Sequence, residues 1–147
     1  IQEELQDQVS RAVNSGGRVL TGGNKISGPG NFYEPTVIAD LPSTADVADE
    51  EFFGPVALIF RVRNAEEAIQ LANQSPFGLG ASVWTKDLQE QKLMIEQIEA
   101  GSVFINAMVA SHPGLPFGGI KRSGYGRELS ELGMLEFMNI QSVWISE

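Results

Sequence analysis

The stretch VALIFRVRNAEEAIQLANQSPFGLGASVWT, residues 56–85, changes its hydrophobic period twice. Val56 to Val62 is a nearly continuous apolar run of strand length, the pattern of a parallel strand covered on both faces. In NAEEAIQLANQ, Ala65, Ala68, Ile69 and Ala72 share one helical face, and Asn64 and Glu67 stand where a capping box needs them. Ala81 to Thr85 reads as a strand again. Asp87 then stands where it can cap a second helix, which carries Leu88, Met94, Ile95 and Ile98 inward and ends before Gly101. SVFIN, residues 102–106, is a third strand. Strand, helix, strand, helix, strand at this spacing predicts two βαβ crossovers, hence a parallel sheet and an α/β fold.

Upstream, Ile1, Leu5, Val9, Ala12 and Val13 repeat at helical spacing, and the helix stops at Gly16-Gly17. RVLTGG and FYEPTVIAD read as short strands separated by the turn-rich GNKISGPGN. Downstream come the glycine loop LPFGGIKRSGYGRE (115–128), a short helix near Ser130 to Met138, and IQSVWIS, an alternating strand with nothing after it to pair with. A helix already under way at Ile1, with no initiating Met, predicts a piece of something longer.

Composition narrows the function classes. A chain of 147 residues with 42% hydrophobic content can bury a core. Nineteen Asp and Glu against ten Lys and Arg give a formal charge of -9, which repels phosphate backbones and anionic membrane surfaces, so neither nucleic acid nor membrane is an expected partner. No apolar run is long enough to span a bilayer and IQEELQDQ is not a signal-peptide pattern, which together predict a cytoplasmic protein. There is no cysteine, hence no disulfide, no thiolate metal site and no cysteine nucleophile within this chain.

The glycine-rich stretches do not pass the test for a phosphate cradle. Gly78 and Gly80 would require a third glycine at Val83, and FGLGASV precedes a strand instead of following one. GGIKRSG lacks a Gly-Lys-Ser/Thr step, so both read as tight turns. The acidic cluster Asp46, Asp49, Glu50, Glu51 lacks the ligand alternation of a calcium loop and reads as solvated. Its sequel, Phe52-Phe53-Gly54-Pro55, places an acceptor and a flat apolar surface on one short turn, which suits either a ribose and a planar ring or simple core packing. His112, the only histidine, reads as a surface-loop residue. Ser111 with Lys121, Arg122 and Arg127 offers donors for an anionic group, or merely solvates a loop. A ligand is expected at the carboxyl end of strand 102–106, where α/β sheets place them.

Four segments, EEFFGPV, NQSPFGLGASVWTKDL, AGSVFIN and PFGGIKRSGYGRE, resemble the C-terminal part of the catalytic domain of the aldehyde dehydrogenase superfamily, and the likeness covers essentially the whole chain. The tail from Met108 onward most resembles bacterial succinate-semialdehyde dehydrogenases. The resemblance implies residues 1–138 as the C-terminal part of that catalytic domain and 139–147 as an oligomerisation strand that adds to a neighbouring subunit, giving a homo-oligomer. It implies that Glu51 hydrogen-bonds the ribose beside the nicotinamide of NAD or NADP, that Phe53 packs at the same end, and that Leu79 lies near the ring. For the small aldehyde substrate it implies Phe117 as a tunnel wall and Ser111 as the contact for a distal carboxylate, with Asn106 and the glycines shaping the backbone nearby. In that family a cysteine thiolate attacks the aldehyde, hydride passes to the dinucleotide, and water activated by a glutamate hydrolyses the thioester. Neither that cysteine nor the dinucleotide-binding domain is in these residues, so the chain alone is expected to be inactive. The competing expectations are a dehydrogenase for another small aldehyde and a noncatalytic interaction domain of the same fold.

Overall fold

In the computed structural model, which describes residues 1–147, the chain divides into two units, Ile1–Asn64 and Ala65–Glu147. The first opens with α1 (Gln2–Asn14), whose apolar stripe narrows to Leu5, Val9 and Ala12, all buried, while Ile1 and Val13 are exposed. The helix ends at Gly16 because its φ of 101° is open to glycine and costly for other residues. That turn lets Gly17 N–H donate to Ala12 O at 2.9 Å and Gly16 N–H to Val13 O at 3.0 Å, closing the last carbonyls.

Strands β1 (Arg18–Thr21), β2 (Thr36–Ala39) and β3 (Val56–Ile59) form one sheet in that order, β1 antiparallel to β2 and β2 parallel to β3. Ile38, on the central strand, is fully buried in a cluster with Leu5, Val9, Ala12, Tyr33, Leu41 and Val47. Thr36 is buried and satisfied: its hydroxyl accepts from Gly23 N–H at 2.8 Å and donates to Glu34 O at 2.7 Å.

The second unit contains α2 (Ala65–Gln74), β4 (Phe77–Gly78), β5 (Gly80–Val83), α3 (Leu88–Gln97), β6 (Ser102–Ile105), β7 (Ile120–Lys121) and α4 (Ser130–Leu135). β5 and β6 run parallel across α3, with Gly80 opposite Ser102 and Val83 opposite Ile105, while β4 pairs antiparallel with β7. Asp87 caps α3 as its position predicts, accepting from Gln89 N–H at 2.7 Å and Glu90 N–H at 3.1 Å. Asn73 at the end of α2 ties the helices together, donating to Gln97 O at 2.7 Å and accepting from Glu99 N–H at 2.9 Å.

The α/β class with parallel strands stands, but four details differ from expectation. Only one of the two crossovers, β5–α3–β6, joins neighbouring strands; β3 instead takes β2 as its parallel partner, a strand that periodicity could not assign to it. β3 is also not covered on both faces, since its residues alternate between half-buried and exposed. Met94 on α3 and Ile98 just after it are half-buried, whereas Leu88 and Ile95 are 74% and 57% exposed because nothing within the chain covers that side. Residues 139–147, expected as a strand, carry no regular secondary structure, and without a partner ladder their backbone groups have nothing to pair with. No helix is long and apolar enough to cross a membrane.

Candidate functional site

The turn Glu51–Pro55 leads into β3 and is fastened to α1. Gln8 does this with one amide group, which donates to Glu50 Oε2 and to Glu51 O, both at 3.0 Å. Arg11 adds a two-pronged pair to Glu50, Nη1 to Oε1 at 2.6 Å and Nη2 to Oε2 at 2.7 Å, and its Nε donates to Asp7 at 2.7 Å. These bonds from Arg11, and then from Gln8, hold the Glu50 carboxyl well below its usual range, at about 2. The acidic segment is thus organised by a cation on α1, and no three carboxylates converge there on a metal position. Gly54 packs closely on the buried Leu5, so that a Cβ there would require the end of that side chain to shift.

With its backbone pinned, Glu51 leaves its carboxylate exposed, and Phe53 is 68% exposed beside it. Both border a cavity of about 560 Å³ whose other walls are Ile1, Glu50 and residues of α1, including Glu4, Asp7, Gln8 and Arg11. An open carboxylate can accept hydrogen bonds and an open ring offers an apolar stacking face, so the turn presents both on one exposed surface.

In the second unit, Asn106 follows β6 at a φ of 54° and turns the chain. Its side-chain amide extends the β5–β6 ladder by one rung, accepting from Thr85 N–H at 3.0 Å and donating to Thr85 O at 2.9 Å. A cavity of about 400 Å³ runs along β6, lined by all four of its residues and by Ala110, His112, Leu115 and Phe117 among others. Phe117 is half-buried there and bridges to Glu128, each N–H donating to the other's carbonyl at 2.8 Å. Ser111 is exposed and sits between two cavity residues without lining the cavity itself. Leu79, between β4 and β5, is 44% exposed, and its carbonyl accepts from Ser102 Oγ at 3.4 Å.

The glycine loop approaches other backbone. A Cβ on Gly101 would collide with Gly118 O, and one on Gly119 would come within 2.5 Å of Ser123 Cβ. The nearby cations, read as possible anion ligands, are spent on holding this loop. Lys121 donates to Asn73 O at 2.8 Å and pairs with Glu99 at 2.9 Å. Arg127 donates to Gly119 O and Gly126 O at 3.1 and 2.6 Å, and Arg122 lies 5.4 Å from the centre of the Phe77 ring. His112 exceeds its sequence reading, since it is exposed yet also lines the cavity; the Pro-Gly turn signal after it was the available clue. The Gln8 and Arg11 clamp had no local signal, because its partners lie about forty residues away in sequence.

The profile of the aldehyde dehydrogenase family matches residues 2–143. The chain is 52% identical over 143 residues to a probable succinate-semialdehyde dehydrogenase [NADP(+)] of Synechocystis sp., covering 97% of this chain and 32% of that protein. It is 51% identical to succinate-semialdehyde dehydrogenase [NADP(+)] 1 of Mycobacterium tuberculosis, covering 97% of this chain and 31% of that protein. Among solved structures, succinic semialdehyde dehydrogenase of Streptococcus pyogenes in complex with NADP+ superposes with a TM-score of 0.91 at 42% identity, over 99% of this chain and 32% of that one. Lactaldehyde dehydrogenase of Escherichia coli superposes at 0.94 and 32% identity, over 98% and 30%. The chain thus spans about a third of the length of the relatives it matches, and it belongs to the aldehyde dehydrogenase family.

Proposed function

We propose that this chain forms the C-terminal part of the catalytic domain of an NADP-dependent succinate-semialdehyde dehydrogenase that works in the cytoplasm. The observation that carries this reading is identity of about half, over nearly the whole chain, to relatives bearing that name. Glu51 and Phe53 receive the nicotinamide-ribose end of the dinucleotide, and Leu79 lies near the ring. The cofactor supplies the hydride acceptor when bound; the part of these residues is to orient it, the Glu51 carboxylate by accepting from ribose hydroxyls and Phe53 by presenting an apolar face. Phe117 walls the aldehyde tunnel and Ser111 meets the distal carboxylate. Residues 139–147 pair with a second copy of the enzyme to build a homo-oligomer.

The test uses the intact enzyme that carries these residues. NADPH formation from succinic semialdehyde is compared with that from an uncharged aldehyde of similar length, and with NAD in place of NADP. Faster turnover of the charged substrate with NADP, with Glu51→Gln raising the dinucleotide KM, is expected. Equal rates on both aldehydes would discard the substrate assignment. The 147-residue chain alone is expected to form no NADPH, because the family's nucleophile is a cysteine and these residues contain none.

A further inference from the structure

We infer that His112 reads the far end of the aldehyde, its Nε2–H donating to the distal carboxylate, an inference that rests on the succinate-semialdehyde reading above. Among the residues lining the cavity along β6, His112 is the only one with an ionisable side chain. The one hydroxyl there, on Ser102, is already turned to Leu79 O. The remaining wall is apolar or nearly so, with Phe104, Ile105, Leu115 and Phe117. A carboxylate entering such a wall loses water and must find a hydrogen-bond donor to compensate.

The His112 ring is exposed, and one hydrogen bond from its own turn defines its free nitrogen. His112 opens a tight turn in which Leu115 N–H donates to His112 O at 2.9 Å, with Pro113 and Gly114 at the central positions that favour those residues. Gly114 N–H donates to His112 Nδ1 at 3.1 Å. With Nδ1 acting as acceptor, the neutral ring carries its proton on Nε2, so that nitrogen is left as a donor. The turn therefore holds a short, oriented donor at the edge of an apolar chamber, which is the arrangement that separates a charged from an uncharged substrate end. Ser111, next in sequence, is exposed and lies outside the cavity wall.

The experiment measures kcat and KM of the intact enzyme for succinic semialdehyde and for butanal, in the parent and in His112→Ala, His112→Gln and Ser111→Ala. His112→Ala is expected to lower kcat/KM for succinic semialdehyde roughly 10-fold, through KM, while butanal changes less than about 2-fold. His112→Gln keeps an N–H donor and is expected to recover part of the loss, which a purely structural role would not predict. A preference for the charged aldehyde that survives His112→Ala intact would overturn the inference and leave the substrate reading standing. So would a loss that falls equally on both aldehydes in both His112 variants. A parent enzyme with no preference at all is a separate result, and it would remove the substrate reading and this inference together.

Discussion

The two units of the chain are held together differently. The first, Ile1–Asn64, buries Leu5, Val9, Ala12, Tyr33, Ile38, Leu41 and Val47 in one contiguous apolar core under one helix. In the second, Ala65–Glu147, Ile69 alone among the larger apolar residues is buried, and Trp84, Leu88, Ile95, Phe137, Ile140 and Trp144 lie open. It is held instead by backbone pairing, by glycines packed against carbonyls, and by Lys121 and Arg127 on main-chain oxygens. The Glu51–Pro55 turn thus belongs to a unit with its own core, while the cavity along β6 is walled by a unit exposing apolar surface of the kind that protein usually covers.

The largest expected effect tests the first half of that contrast. Ile38→Ala leaves a void in the centre of the first unit and is expected to cost about 3 kcal/mol of stability in urea unfolding. A loss below about 1 kcal/mol would mean that the cluster around Ile38 is not the support it appears in the contact pattern.

Next comes the glycine packing that replaces a core in the second unit. Gly101→Ala places a methyl against Gly118 O, a backbone atom with little room to move, and is expected to cost about 2 kcal/mol and raise the aldehyde KM as the 115–128 loop shifts. Unchanged stability and KM would show the loop to be free of the sheet it covers.

A smaller effect distinguishes the cap from the clamp. Asp87→Ala removes the acceptor of two helix N–H groups and is expected to cost about 1 kcal/mol. The Glu50 clamp works through pH instead. Arg11 and Gln8 hold its carboxyl down to about 2 in the folded chain, below the ordinary glutamate value of 4.5, so its stabilisation is fully present above about 4.5 and is lost as pH falls toward about 2. Glu50→Gln is expected to flatten that part of the stability-against-pH curve, read by urea unfolding at a series of pH values. An unaltered acid limb would show that the Arg11 pair contributes nothing to stability, as many exposed pairs do not.

The smallest effect sharpens the contrast from the other side. Leu88→Ala on the open face of α3 is expected to stay within about 0.5 kcal/mol in the 147-residue chain, since that side chain is 74% exposed. If it costs as much as Ile38→Ala, the second unit has a core after all.

Local chemistry alone carried a good deal. Periodicity located α1, α2 and α3, the Asp87 cap followed from one residue type at one position, and the Glu-Phe-Phe-Gly-Pro turn was recognisable as an acceptor beside a flat ring. These depend on neighbours a few residues apart, which a sequence displays directly. Tertiary structure alone decided that β3 pairs with β2, that Arg11 holds Glu50, that Lys121 and Arg127 serve the loop instead of a ligand, and that His112 faces a cavity. Each of these is a meeting of residues distant in sequence or a matter of which surface remains uncovered. Period and residue type state what a segment can bury or donate, but only the folded chain determines what stands opposite it.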